Sequence, residues 1–370
     1  MSGLRPPLED VVKPEGSPDG DALWHKVADF IGGARVHPFE ALALEAFRFQ
    51  FRHNALYGEW CRHLGWTAER VAACSRWQDI PMLPVEAFRW GRVRTEGIAD
   101  SGAPVTFRTS GTTGTQQGVH EVHTPGLCAM SATAGFEERF GPPGADRVLL
   151  GLLPGYLERP DSSLVHMVQL LRGAGWMEAG ARPEDGFFLD DLDALFDKIE
   201  HTLQSGKRPI LIGVTWALVD AAAAWRDAGR NPLADCVDII VTGGMKGRRE
   251  EWVAEQVRSA LMTGFGATHI GGEYGMTELL SQAWSIRDGI YSAPDWMRVR
   301  LRRTDDPLSP ESLGSTGAVD VVDLANIGSC CFLSTQDLAR TATTNQGLPG
   351  FELLGRFDHA EVRGCNLLVQ

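Results

Sequence analysis

The run Phe107-Arg-Thr-Ser-Gly-Thr-Thr-Gly-Thr-Gln-Gln-Gly118 brings hydroxyl side chains and glycines together directly after the alternating apolar segment Pro104 to Phe107. Gly111, Gly114 and Gly118 let the main chain approach an anion closely. Thr109, Ser110, Thr112 and Thr113 add hydroxyl donors beside the exposed amides, so the chemistry suits a polyphosphate. The run has neither the Gly-Lys-Ser/Thr ending of a Walker loop nor the GxGxxG spacing of a dinucleotide fingerprint. A surface turn uses the same residue types, so the segment alone leaves a phosphate loop and a turn open.

Near the other end, Cys365 follows Arg363 and Gly364. A thiolate attacks an activated carbonyl more readily than other common side chains, and Arg363 would oppose its charge. Gly364 and a short tail would let the sulfur swing between two sites. A cysteine packed on the surface is the alternative. Cys330 and Cys331 sit in the apolar run Ile327 to Leu333, and Cys128 falls in a predicted helix, so all three read as core. His120, His123, His166, Ser162 and Ser163 lie near enough in sequence to border a pocket, though buried or surface roles are the better reading of each histidine.

Four further motifs carry polar groups in order. Val241-Thr-Gly-Gly-Met-Lys-Gly247 follows a predicted strand, where Gly243 and Gly244 allow close backbone approach. Gly272-Glu-Tyr-Gly-Met-Thr-Glu278 pairs a flat ring suited to a base with a hard oxygen ligand suited to Mg2+. Ser334-Thr-Gln-Asp337 offers a carboxylate for hydroxyl donors, and Leu354-Gly-Arg-Phe-Asp358 a guanidinium for a phosphate. A strand-ending turn and surface salt bridges are the alternative readings of individual motifs.

These motifs need elements to hold them. Ala22, Leu23, Val27, Phe30 and Ile31, then Phe39, Leu42, Leu44, Phe47 and Phe51, recur at helical spacing and predict two or three amphipathic helices between Asp21 and Trp66. Ile80 to Val85 is extended, because the residue before each proline is biased away from helix. Apolar runs at Arg147 to Leu153, Pro209 to Val214, Val237 to Thr242, Thr268 to Gly271 and Gly317 to Val322 predict strands. Helices are expected at Trp216 to Arg226 and Arg248 to Met262. Strands alternating with helices give an α/β fold with a mixed or parallel sheet. Arg298, Arg300, Arg302 and Arg303, interleaved with Val299 and Leu301, predict a strand with one solvated charged face.

A chain of 370 residues supports one large α/β domain or two closely packed ones. Its 11 Trp and 16 Phe supply core, while 42 Gly and 20 Pro imply many tight loops, which fits a globular enzyme. The net charge of -13 argues against nucleic acid as a partner. The 7 Cys show no CxxC pairing, so neither a zinc site nor a disulfide framework is expected, and a reducing cytoplasm fits. No apolar run approaches the roughly 20 residues of a membrane span.

In this order the motifs resemble the signatures of the adenylate-forming superfamily of acyl-CoA ligases, firefly-type luciferases and peptide-synthetase adenylation domains. Thr109 to Gly114 and Gly118 match its phosphate loop, with Gln116-Gln117 standing where Pro-Lys is usual; Arg108 and Lys246 are possible substitutes for the lysine. The resemblance implies ATP and Mg2+ as cofactors. It implies contact of Gly243 and Gly244 with the adenine and acyl pocket, packing of Tyr274 on adenine, and binding of the α-phosphate by Thr277. It further implies Mg2+ coordination by Glu278, ribose binding by Asp337, and an Arg356 signature near the interdomain hinge.

The chain also resembles a narrower family, the acyl-protein synthetase of the bacterial bioluminescence fatty acid reductase complex and its relatives. The resemblance extends over nearly the whole chain and includes Phe39 to Gln50, Ile80 to Phe88 and above all Arg363-Gly-Cys365. It implies a large adenylate-forming N-terminal domain with mixed β-sheets flanked by helices and no C-terminal lid domain. Expected boundaries are a flexible arm at 1–20, a catalytic domain at 21–358 and a tail at 359–370 carrying the acceptor cysteine. The implied reaction is ATP-dependent activation of a carboxylic acid, taken to be a fatty acid, followed by thioester formation on Cys365. An acyl-reductase or acyltransferase partner would receive the acyl group. The rival readings are a phenylacetate-type carboxylate-CoA ligase and a noncatalytic nucleotide-binding assembly protein.

Overall fold

The computed structural model describes residues 16–100, 102–109, 116–144, 146–154, 159–178, 186–243, 252–312 and 314–356. Ser110, Gly111, Thr112, Thr113, Gly114, Gly244, Lys246 and Cys365 lie outside the described residues. The described chain opens with helices α1 (Pro18–Ile31), α2 (Phe39–His53), α3 (Ala55–His63) and α4 (Ala68–Ala73), then strand β1 (Leu83–Pro84) and helix α5 (Ala87–Trp90). Strands β2 (Val105–Arg108) and β3 (Val119–Val122) lead into α6 (Pro125–Phe140). An alternating series follows: β4 (Arg147–Leu152), α7 (Ser163–Gly173), α8 (Leu192–Gln204), β5 (Arg208–Val214), α9 (Thr215–Asp227), β6 (Asp238–Thr242), α10 (Ala254–Phe265), β7 (Gly271–Tyr274) and β8 (Ala283–Ser285). The remainder is mostly strand: β9 (Ile290–Tyr291), β10 (Met297–Arg302), β11 (Thr316–Asp323), β12 (Phe332–Thr343) and β13 (Pro349–Arg356).

Local chemistry starts α1 at Pro18, ahead of the Asp21 boundary that the pattern predicts. Ser17 caps α1 by accepting from the Gly20 amide, Pro18 occupies the first turn, and Asp19 and Asp21 face the positive end of the helix dipole. Leu23, Val27, Phe30 and Ile31 then bury one face. In α2, Phe47 sets its ring edge-on against Tyr57, Trp66 and Phe332, which fixes the N-terminal helices on the sheet containing β12.

One sheet has the order β4-β5-β6-β7-β8, with parallel pairing through β7 and β8 antiparallel. Its central strands are apolar on both faces, as helix-covered parallel strands must be. Phe196, Leu218, Trp225, Leu261 and Phe265 of α8, α9 and α10 cover Leu150, Leu211 and Ile239. Phe136, Phe140, Met167 and Leu171 of α6 and α7 cover Leu149, Ile210, Ile212 and Ile240 on the other face. The second sheet runs β10-β11-β12-β13-β9 antiparallel, and β1 joins it parallel to β12. The architecture is thus the expected α/β arrangement of mixed sheets flanked by helices.

Three expectations need correction. The strand expected at Thr268 to Gly271 begins only at Gly271, because Thr268 N donates instead to Ala234 O at 3.1 Å in a separate bridge. The helix expected from Arg248 runs, within the described residues, over Ala254–Phe265, and ends where Gly266 turns to φ +63°. The arginine-rich strand forms as β10, but its charged face is not simply solvated. Register places Arg300 opposite Asp320, which is 1% exposed. Arg300 Nε lies 3.1 Å and Arg302 Nη1 2.7 Å from its two oxygens, and Arg302 also donates to the carbonyls of Val319 and Thr335. A buried carboxylate on the facing strand draws these cations inward. No helix of the described residues is long and apolar enough to cross a membrane.

Candidate functional site

β6 and β7 end side by side at the carboxyl edge of the parallel strands, where open α/β sheets hold ligands. After β6, Gly243 adopts φ +65°, a conformation costly for other residues, and its carbonyl accepts from Thr215 Oγ1 at 2.8 Å. Thr242 Oγ1 donates to Glu273 Oε2 at 2.6 Å, tying the two strand ends together. Burial raises Glu273 to about 7, against a lowering influence from that hydroxyl. A Cβ on Gly275 would stand 2.2 Å from Glu273 Oε1, so the carboxyl packs where only glycine leaves room.

The next side chain links the two sheets. Tyr274 donates its hydroxyl to Asp337 Oδ2 at 3.0 Å, while its ring meets Phe351 edge-on at 5.4 Å between centroids. Burial first, and the Asp337 carboxylate second, hold the Tyr274 phenol well above its usual range, so it remains a donor. Asp337 pairs with Arg356 in the β12–β13 register, and Arg356 Nε approaches Asp337 Oδ1 to 3.3 Å. A phenol, a carboxylate and a guanidinium therefore form one chain from the end of β7 to the end of β13.

The turn after β7 is pinned from three directions. His120, buried in β3, donates from Nδ1 to the Thr277 carbonyl at 2.8 Å, which leaves Nε2 to accept from Ser329 Oγ at 2.9 Å. Burial lowers His120 to about 4, so the ring is neutral at pH 7. Asn326 Nδ2 donates to the Glu278 carbonyl at 2.8 Å. Asp323 accepts from the amides of Leu280 and Ser281, both at 2.9 Å, and from the Ser281 hydroxyl at 2.5 Å. Thr277 and Glu278 are thus placed by a satisfied buried network rather than by a free loop.

The hydroxyl-rich run meets this turn at its neck. β2 and β3 pair antiparallel, Thr109 N donates to Gly118 O at 3.0 Å, and Gly118 N donates to Thr109 Oγ1 at 2.8 Å. A Cβ on Gly118 would lie 3.4 Å from Glu278 Oε1, so the Glu278 carboxyl stands directly against the neck. Glu278 is 8% exposed, and burial raises it to about 7 against the lowering charges of Arg356 and Arg89. A buried carboxyl short of compensating positive charge, beside a hydroxyl-rich neck, fits a divalent cation. Behind the turn, Phe107, Cys128, Met167, Leu170, Leu279 and Leu280 line a small apolar pocket.

Of the residues singled out from sequence, the structure gathers Thr109, Gly118, Thr277 and Glu278 in one place. Tyr274, Asp337 and Arg356 form the adjoining chain, and Gly243 sits at the neighbouring strand end. Cys128 is buried beside the apolar pocket and pushed up to about 12, and Cys330 and Cys331 are buried and raised by desolvation, as core thiols are. His120, for which a buried role was the favoured reading over a pocket one, is buried and supports the turn. Sequence reasoning missed Glu273 and Arg89. Glu273 lay inside a motif already quoted, but the burial that changes its acidity is a property of the strand end. Arg89 directly follows a quoted segment, and nothing in its spacing points at Glu278.

No protein-family profile and no curated protein matches this chain by sequence. Among solved structures, an open conformation of 2-hydroxyisobutyryl-CoA ligase in complex with 2-HIB-AMP and CoA is similar. It gives a TM-score of 0.60 at 12% identity and covers 86% of this chain and 70% of that chain. The same ligase in the postadenylation state with 2-HIB-AMP gives a TM-score of 0.61 at 14% identity, over 86% of this chain and 68% of that chain. At this level of identity the likeness shows a fold shared with that ligase and no more.

Proposed function

We propose that this chain activates a carboxylic acid, in particular a fatty acid, with ATP to give an acyl-adenylate, and then takes the acyl group onto Cys365 as a thioester. The observation that carries the reading is the meeting of the Thr109–Gly118 neck with Glu278 at the carboxyl end of β7. The similar structures support it, since their ligase holds an acyl-AMP.

In the first step a carboxylate oxygen of the acid attacks the α-phosphorus of ATP, a new P–O bond forms, and the bond to pyrophosphate breaks. Charge develops on the phosphate oxygens. The Thr277 hydroxyl and the hydroxyl and amide donors in Thr109 to Gly118 would stabilise it electrostatically. Asp337 keeps acceptor capacity on both oxygens after binding Tyr274 and Arg356, enough to take the ribose hydroxyls. Glu278 would hold Mg2+, which when bound supplies positive charge against the phosphates. Phe107, Met167 and Leu279 line the small apolar pocket behind the turn.

In the second step the Cys365 thiolate attacks the acyl carbonyl carbon, the thiol proton having gone to solvent. The C–O bond to AMP breaks, and AMP leaves with the bridging oxygen. The thioester would pass to an acyl-reductase or acyltransferase partner in the cytoplasm. A second reading, transfer to coenzyme A, is favoured by the CoA held in the similar ligase. Incubation with ATP, Mg2+ and a panel of labelled fatty and aromatic acids separates the two. Hydroxylamine-sensitive label on the wild-type protein, absent from Cys365→Ser, supports self-acylation. Acyl-CoA formed equally by both proteins, with neither labelled, supports the second reading.

A further inference from the structure

We infer that Arg89 is the cation that meets the phosphates of the nucleotide, doing from α5 what a lysine does in phosphate loops where this chain has Gln117. The inference rests on the adenylation reading above. It starts from how α5 is held. β1 pairs parallel with β12 through Leu83–Leu333 and Pro84–Ser334, Val85 N donates to Ser334 O at 3.0 Å, and Glu86 accepts from Gln336 Nε2. These bonds run residues 83–86 alongside the stretch of β12 that ends in Asp337.

The other side of α5 faces the turn. Phe88 is 2% exposed and sets its ring edge-on to His120 at 5.1 Å between centroids, and His120 in turn holds the Thr277 carbonyl. Arg89 follows Phe88 directly and is exposed, so an exposed cation stands next to the residue that packs on the His120 ring. Among the described residues no carboxylate pairs with the Arg89 guanidinium, and Glu86 is engaged with Gln336. Gln116 and Gln117 are exposed and carry no charge. A guanidinium gives a planar, two-donor contact to phosphate oxygens that an amide cannot replace.

The test compares wild type, Arg89→Gln, Arg89→Lys and the double variant Arg89→Gln with Gln117→Lys. Two readouts are used: calorimetric Mg-ATP binding and acid-dependent pyrophosphate exchange. Arg89→Gln should weaken Mg-ATP binding and lower kcat/KM for ATP by about 10- to 100-fold. Arg89→Lys should keep most of both. The double variant should recover at least part of the loss, because it returns a cation to the loop. An unchanged thermal midpoint is expected, since Arg89 is exposed. Mg-ATP affinity equal in wild type and Arg89→Gln overturns the inference, as does binding by neither. Selective loss of nucleotide binding in Arg89→Gln sustains it even if no acid supports exchange, an outcome that would instead overturn the adenylation reading.

Discussion

Tyr274 donates its hydroxyl to Asp337 across 3.0 Å and so fastens the end of the parallel sheet to the middle of the antiparallel one. The bond has a structural and a binding consequence, because the same carboxylate is the proposed ribose acceptor.

Tyr274→Phe removes that donor and leaves Asp337 with Arg356 alone. Hydrogen bonds to charged groups contribute about 1.5–3 kcal/mol. Urea unfolding of the variant should show a loss of that size, together with a several-fold rise in KM for ATP and a smaller change in kcat. Unchanged stability would mean that Asp337 finds another partner.

Glu278→Gln should abolish acid-dependent pyrophosphate exchange and change the pH dependence of stability. Glu278 lies at about 7 in the fold against an ordinary 4.5, so its contribution is fully present below 4.5 and is lost as pH rises through 7. The variant has no proton to lose. It should be more stable than wild type at pH 8, with the difference closing towards pH 4.5 in chemical denaturation.

His120→Ala should loosen the Thr277–Glu278 turn. A loss of about 1–3 kcal/mol is expected for the unsatisfied Thr277 carbonyl and Ser329 hydroxyl. His120 lies at about 4 against an ordinary 6.5, so the stability it gives is present above 6.5 and lost as pH falls through 4. The acid-side slope of unfolding free energy should be shallower in the variant, and exchange should fall without any contact between His120 and ATP.

Arg302→Met tests the correction to the charged strand. Removing one partner of a buried carboxylate costs about 3 kcal/mol, whereas a substitution on a solvated face stays within about 0.5 kcal/mol. Thermal or urea unfolding decides between these values, and catalytic constants at a temperature where the variant is folded should not move.

Much of this site was legible because its chemistry is written in short runs. Thr109 to Gly118 and Gly272 to Glu278 each combine small residues with donors or a carboxylate in a few positions, and β4, β5 and β6 announce themselves as continuous apolar strands. What could not be read depends on contacts distant in sequence. Asp320 turns Arg300 and Arg302 inward only because β11 lies beside β10. His120 supports Thr277 across 157 positions, and Asp323 at the end of β11 and Asn326 just beyond it hold the same turn. α5, which carries Arg89, lies where it does only because β1 pairs with β12. Periodicity reports a residue's own element and is silent on such partners.

The central claim is that a carboxylate oxygen attacks the α-phosphorus, and oxygen tracing tests it most directly. The protein is incubated with ATP, Mg2+ and carboxylic acids labelled with heavy oxygen, and the AMP released is weighed by mass spectrometry. The account expects one heavy oxygen in AMP and none in pyrophosphate, because the bridging oxygen leaves with AMP when the acyl carbonyl is attacked. Unlabelled AMP, or ADP formed with label in inorganic phosphate, would contradict it.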